Sequence, residues 1–289
     1  MFVIIGIVVV LGMIVAGYLM EHGNLSVLFQ PAELVIIFGA AIGSFIISNP
    51  KKVISSTIRD ALKVFTAPDI GKIHYVELLL CLNEIFTKVK REGFLAIEQD
   101  VDNPHQSTTF TKYKTVSSDH HIVEFICDNF RTIISTNMTP NELEELMDVD
   151  IEAQHHDHVA SAEAITRVAD ALPGLGIVAA VLGVVLTMGK ISEPPEVLGH
   201  SIGAALVGTF IGILSCYGIL GPIGTNLEHK AKAKGSMLNV IKIAIVQTAQ
   251  GAAPQAAIES ARRAIPADDR PDFNEFAEEL KQWKASQSS

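Results

Sequence analysis

The stretch from Asp170 to Pro222 limits the possible folds more than any other part of the chain. It holds two apolar segments, Ala171–Gly189 and Ser201–Gly221, joined by Lys190–His200, and neither segment contains Asp, Glu, Lys, Arg or His. A hydrocarbon core about 30 Å thick takes roughly 20 residues of helix, so each segment has spanning length. Small residues recur along both: Gly174, Gly176, Ala179, Ala180 and Gly183 on the first, Gly203, Gly208 and Gly212 on the second. Lipid supplies no hydrophobic drive between helices, so small residues that let backbones approach are what packs them. Gly208 and Gly212 form a small-xxx-small seam, and the pair reads as a helical hairpin packed inside a membrane.

Two further spans precede it. Phe2–Met20 is apolar throughout, with no positive leader and no small-residue cleavage pattern before Glu21, and reads as a retained helix. Leu34–Ile47 carries no charge and has its own seam, Gly39 to Gly43. On these boundaries the four spans contain hydroxyls but no Asp, Glu, Lys, Arg or His, although ion paths through membranes normally need such a group. Either the chain is a passive scaffold, or a partner brings the acid.

Charge sets the orientation. Lys51, Lys52, Arg59 and Lys63 follow the second span, and Lys230, Lys232, Lys234 and Lys242 follow the fourth, whereas Glu21–Glu33 has no Lys or Arg. Positive charge beside a span marks the cytoplasmic face. The expected layout is therefore two spans in 1–49, a cytoplasmic helical domain in 50–170, two spans in 171–222 and cytoplasmic helices with a tail in 223–289. A mean hydropathy of +0.33 beside 19% charged residues suits such a mixture of lipid and aqueous parts. The net charge of −10 argues against a nucleic-acid partner.

The aqueous parts read as helices. Ile54, Ile58, Leu62 and Phe65 mark an amphipathic helix at the membrane face. Pro68 is expected to open the next, with Ile73, Val76, Leu79 and Leu80 on its buried face and Gly93 as its stop. Asp119 caps a third. Thr139-Pro140-Asn141-Glu142 has the form of a capping box whose helix runs on through Ile151 and Ile165 toward the third span. Met237, Val240, Ile241, Ala244 and Ile245 mark another helix, a short acidic one surrounds Asp272–Leu280, and Ala285–Ser289 is expected to be disordered. No strand-like alternation persists, so the class is all-α.

Little enzymatic chemistry is visible. Gly183 to Lys190 has five residues between its glycines and Ile191 where a phosphate loop needs Ser or Thr. His155-His156-Asp157-His158 puts two imidazoles on one helix face without a third ligand in view, so an exposed polar face is favoured over a metal site. No nucleophile–base pair stands out, and no cofactor or metal is expected. Cys81, Cys127 and Cys216 lie far apart and are expected as free thiols. Pro173 and Pro222 read either as helix ends where spans meet water or as hinges, with the helix-end reading slightly favoured. Lys90, Arg91 and Glu98 flank Gly93 and read as a solvated turn or as a docking surface of mixed sign.

Four ordered stretches go further. Gln30–Phe45 (QPAELVIIFGAAIGSF), Leu172–Val185 (LPGLGIVAAVLGVV), Val207–Leu214 (VGTFIGIL) and Gly251–Glu259 (GAAPQAAIE) resemble the MotA family of flagellar-motor stator channel subunits, and the resemblance runs from about Met1 to Trp283. It implies a homopentamer around a dimer of MotB, which supplies the protonatable Asp, in the bacterial inner membrane with both termini cytoplasmic. It also implies torque delivered to the rotor through FliG. In this likeness Pro173 and Pro222 match two functional prolines, and Ala180 and Thr209 match positions facing the ion path. Lys90 with its neighbour Arg91, and Glu98, match rotor-contact positions. The family often has Arg where this chain has Lys90, and a lysine lacks the planar fork for a bidentate contact. Sodium-driven relatives typically pair a threonine at the Ala180 position with Thr209, so Ala180 implies a proton path. The alternatives are an energiser of the ExbB or TolQ type, expected to have three spans, and a non-conducting scaffold.

Overall fold

All regular structure is helical. The computed structural model describes Phe2–Gln287, and no strand occurs among the described residues. In chain order the helices are α1 Phe2–Met20, α2 Leu25–Leu28, α3 Pro31–Ser48, α4 Lys51–Thr66, α5 Lys72–Glu92, α6 Glu98–Asp102 and α7 Thr108–Thr111. They continue as α8 Lys114–Ser117, α9 His120–Ser135, α10 Pro140–Met188, α11 Pro195–Leu214, α12 Gly221–Ala249, α13 Pro254–Ala264 and α14 Phe273–Gln287. A 3-10 turn, Phe94–Ile97, precedes α6, and a π turn, Ser215–Leu220, links α11 to α12 without a break in the helix. The chain divides into two compact units, one formed by residues up to Pro68 with Asp157–Ala231, the other by Asp69–His156 with the residues from Lys232 onward.

The first unit contains the spanning helices. Among the described residues, four helices are long and apolar enough to cross a membrane: Phe2–Met20, Leu25–Ser48, and stretches within Pro140–Met188 and Pro195–Ala249. The chain is accordingly a multi-pass membrane protein. Helix α1 buries none of its residues within the chain, as expected of a helix apolar on every side whose cover is lipid or another subunit. The apolar core of the unit is small: Ile37 and Ala41 of α3, Ala169, Leu172 and Ala179 of α10, and Cys216. A second cluster joins Val64 of α4 to Ala162, Ile165, Ile223 and Leu227. Ile58 and Leu62 of α4 stay exposed, in keeping with an amphipathic helix that meets lipid.

What holds α10 against α11 is the absence of side chains. A Cβ on Gly176 would stand 2.7 Å from the Gly208 carbonyl oxygen, and one on Gly212 would stand 2.5 Å from that of Leu172. The backbones are in direct contact along the predicted seam.

Three sequence expectations need correction. The second span starts at Pro31 rather than Leu34, because proline suits the first helical position, and this draws Glu33 into the helix as a buried residue. The spans are therefore not free of ionisable groups. Pro173 is not at a helix end: α10 runs through it for 49 residues, about 74 Å at the usual rise, with cooperative hydrogen bonding on both sides of the lost one. Pro222 likewise lies at the second residue of a helix continuous with the π turn, whose wider ring carries the chain past the missing donor.

The second unit is built around α5, α9 and α12. Leu78, Leu79, Leu82, Ile85 and Phe86 meet Ile122, Phe125, Ile126 and Phe130, with Met237, Val240, Ile241, Ala244 and Ile245 closing the core as their periodicity predicts. The Asp119 cap forms, accepting from the amides of His121 and Ile122. The capping box also forms: Glu142 accepts from the Thr139 amide at 2.7 Å, and its own amide donates to Thr139 Oγ1 at 3.3 Å. The backbone bond lowers the Glu142 carboxyl below its ordinary value. Two boundaries differ from expectation. Helix α5 begins at Lys72 with Gly71 as its cap, leaving Ile73 exposed in the first turn instead of buried. Of the tail expected to be disordered, Ala285–Gln287 continue α14, and Ser288 and Ser289 lie outside the described residues.

Gly176→Val is expected to destabilise the detergent-solubilised protein by about 1–3 kcal/mol, the usual cost of overpacking, because the α10 and α11 backbones must part. Gly203→Val, where no atom lies within 4 Å of the added Cβ, should leave the thermal unfolding curve nearly in place.

Candidate functional site

Two clusters merit functional attention, one in each unit. In the second unit the chain turns sharply after α5. Gly93 adopts φ +85°, a left-handed conformation that an L side chain would strain, and its amide closes the helix on the Val89 carbonyl at 2.8 Å. Lys90 and Arg91 therefore sit in the last helical turn, where cations face the negative end of the helix dipole. Glu98 opens α6 just beyond the 3-10 turn. All three side chains are exposed.

The corner is anchored from beneath. Lys88 pairs with Asp100 at 2.8 Å, and the Ser107 hydroxyl donates to the same carboxylate at 2.7 Å. Arg131 donates to Asp102 at 3.2 Å, to Asp128 at 2.7 Å and to the Val101 carbonyl. Phe130 packs on Phe86 and Phe94 with ring centroids 6.3 and 6.5 Å apart. The exposed charges are thus held on a rigid base while remaining nearly unengaged. Arg91 approaches only Glu92, at 3.8 Å between two exposed side chains, which contributes little. Neither Lys90 nor Glu98 has an ion-pair partner within 4.0 Å among the described residues. Nearby thiols take no part: burial pushes Cys127 up to about 12 and Cys81 well above the ordinary thiol range, which leaves both inert.

In the first unit, Ala180 and Thr209 both lie where α10 crosses α11, and both are half-buried. The Thr209 Cα lies 3.3 Å from the place of a Cβ on Gly176, and the Ala180 amide nitrogen lies 3.3 Å from that of a Cβ on Gly208. The two ion-path positions drawn from the resemblance therefore share one crossing. Pro222 borders an open cavity of about 520 Å³ whose polar lining is Thr166, Asp170, Tyr217, Thr225, Asn226 and His229. Pro173 lies three residues beyond Asp170 on α10 and is not part of that lining. The structure thus separates the two prolines by environment, and it keeps Lys90, Arg91 and Glu98 in the other unit.

Sequence reasoning overlooked three titratable groups. Asp170 and His229 were visible as charged neighbours of spans, but nothing in the sequence turned them toward one cavity. Glu33 was hidden by a boundary drawn three residues too late, and the signal that would have recovered it was Pro31. The His155–His158 run is not joined by further ligands: among the described residues no cluster of three or more His, Cys, Asp or Glu could hold a metal ion. Asp157 instead receives Lys52 at 2.8 Å.

Comparison with known proteins bears on the chain as a whole. Residues 4–93 match the family model for the Motility protein A N-terminal region, and residues 117–239 match the MotA/TolQ/ExbB proton channel family. Motility protein A of Escherichia coli is 39% identical over 99% of this chain and 97% of its own length. The chain belongs to the Motility protein A family. The Salmonella typhimurium member is 38% identical over 97% of this chain and 95% of its own, and the Vibrio parahaemolyticus chemotaxis protein LafT is 34% identical over 98% of each. Two solved structures share the fold. One is that of C. jejuni MotAB, with TM-score 0.78, 22% identity, and coverage of 94% of this chain and 98% of that one. The other is the flagellar MotAB stator complex from Bacillus subtilis, with TM-score 0.75, 24% identity, and coverage of 92% and 96%.

If Asp100 fixes the charged corner of this Motility protein A relative, Asp100→Ala should free Lys88 and the Ser107 hydroxyl together. Amide hydrogen exchange across residues 94–102 is then expected to quicken roughly tenfold, the loss of one charge-assisted hydrogen bond, with the α9 core amides unchanged.

Proposed function

We propose that this chain is the channel-type stator subunit of a bacterial flagellar motor. With a MotB partner it couples proton flow across the inner membrane to torque on the rotor, delivered through FliG. The observation that carries the reading is the match to Motility protein A over nearly the whole chain, including its N-terminal region at residues 4–93. An energiser of the ExbB or TolQ type is named only in the second family model and is expected to have three spans, so the four-span architecture favours the motor.

Each part has a place in such a motor. The packed hairpin of α10 and α11 provides a wall with little bulk, on which Ala180 and Thr209 face the partner's spans and the protonatable Asp they carry. Five copies close the ring, and the apolar surface left bare on α1 is covered by lipid or neighbouring copies. Both termini lie in the cytoplasm, following the lysines after the second and fourth spans. Pro173 and Pro222 each remove one backbone hydrogen bond where the spans leave the membrane, so the helices bend there at low cost. Lys90, Arg91 and Glu98 form the rotor-facing surface, where charge complementarity sets register and partner choice more than affinity.

The path suits protons. A sodium ion must exchange its hydration shell for several oxygens at once. Ala180 offers a methyl group, and Val181, Val184 and Leu206, exposed on the same two helices, present only hydrocarbon. Torque on tethered cells should therefore persist when sodium is replaced by potassium at fixed pH and membrane potential. A stall on sodium removal would refute the proton assignment.

The rotor surface gives a second test. Glu98→Lys should impair swimming while membrane insertion and co-purification with MotB stay intact, and a reversed charge on FliG should restore part of the motility, as expected of a coupled pair. Normal swimming of the double mutant Lys90→Glu, Glu98→Lys would instead mark the corner as a solvated turn.

A further inference from the structure

Glu33 is the unexplained group of the spanning unit. It occupies the third position of α3, from which a glutamate ordinarily reaches back to bond the amide that starts its helix. Here no side-chain cap forms. The side chain turns inward instead: the residue is only 8% exposed, and its Oε2 is buried with no hydrogen-bond partner. The carboxyl fills a notch made by two glycines on facing helices. Oε2 lies 2.5 Å from where a Cβ on Gly208 would stand, and Oε1 lies 3.3 Å from that of Gly183. Ala179 and Ala205 line the same gap with methyl groups.

The elements around it offer no counter-charge. On α11 the titratable groups are Glu196 and His200, and His200 stands eight residues, about 12 Å of helix, from Gly208. On α10 no charged residue lies between Asp170 and Lys190, and Lys190 is seven residues beyond Gly183. Helix α2 carries no charge, and Glu21 and His22 lie beyond the end of α1. An ionised carboxylate left alone in such surroundings is costly, so a buried acid without a partner in a span marks a functional position.

Its neighbours indicate which function. Gly208 precedes Thr209, and Ala179 precedes Ala180, so the notch lies one residue from each position assigned to the ion path. We propose that Glu33 is a proton-exchange site that this chain itself contributes to the path. The carboxylate takes a proton from a hydronium ion at the outer face, releasing water and becoming the neutral acid. It then gives that proton, directly or through water admitted to the notch, to the carboxylate brought by the partner's span, and returns to the anion. Gly183 and Gly208 are needed because any side chain there would fill the passage. The proposal rests on the stator reading.

The test uses the full chain assembled with its MotB partner. Rotation rate is measured against external pH at constant total proton-motive force for the wild type, Glu33→Gln and Glu33→Asp, with co-purification of the partner as the assembly control. Glu33→Gln should lower the rate severalfold and flatten its dependence on external pH. Glu33→Asp, an acid on a shorter arm, should fall between. Infrared difference spectra of the purified complex between acidic and neutral pH should lose one protonated-carboxyl band in Glu33→Gln. An assembled Glu33→Gln complex with the wild-type pH profile and band would overturn the proposal, leaving Glu33 a packing residue. If Glu33→Gln fails to assemble, Glu33→Asp decides: a shifted profile supports the site and an unchanged one overturns it. A wild type that drives no rotation would refute the stator reading instead.

Discussion

Backbone contact between α10 and α11 is the constraint on which the spanning unit depends. Helices that meet in lipid gain nothing from hiding hydrocarbon, so they are held by dispersion over closely fitted surfaces. Gly176, Gly208 and Gly212 bring carbonyl oxygens and α-carbons to within contact of the opposite helix. A similar approach recurs at Gly224, where an added Cβ would meet the Thr166 hydroxyl at 2.5 Å. The missing side chains leave room for the Glu33 carboxyl in the notch and put Ala180 and Thr209 at one crossing. The unit's buried apolar core is correspondingly small, and wide apolar surfaces stay free for lipid or further subunits.

The other unit solves an opposite problem. It has a conventional apolar core, in which α5, α9 and α12 bury aromatic and branched side chains. That core keeps a short charged turn in one shape although its outward groups engage almost nothing. Asp100, Asp102 and Arg131 spend their charges on partners within the scaffold, whereas Lys90 and Glu98 keep theirs unpaired. The same division appears at Glu259, held down to about 2 by Arg262 and Arg263 in a cluster that closes α13 on the Pro271 carbonyl. Structural charges are paired, and those left unpaired on the corner are available to a partner.

Much of this was legible from residues. Four spans followed from charge-free apolar runs of sufficient length, and the helix seam from glycine spacing. The Thr139 capping box, the Asp119 cap, the Gly93 stop and the apolar stripe from Met237 to Ile245 followed from local rules that depend on neighbours within one or two turns. The misreadings share a cause. Proline at 173 and 222 was weighed first as a boundary marker, but whether proline ends a helix depends on what braces the helix on either side, and tertiary packing decides that. Ile73 was placed inside by periodicity, but a capping glycine at 71 put it in a first turn that nothing covers. Glu33 and the Asp170–His229 cavity depend on which faces of distant helices meet, and no single-sequence period carries that information.

The π turn at Ser215–Leu220 sets the rotational phase of α12. The Gly221 amide reaches back to the Cys216 carbonyl, one residue farther than an α-helix allows, so the turn holds an extra residue. With that slack already taken up, one further residue inserted there would rotate the start of α12 by about 100° relative to α11. Ile223 and Leu227 would swing off Ala162 and Ile165, while the glycine seam upstream stayed in place. The linkage between the two halves of this long helix therefore tolerates changes in residue type more readily than changes in residue number.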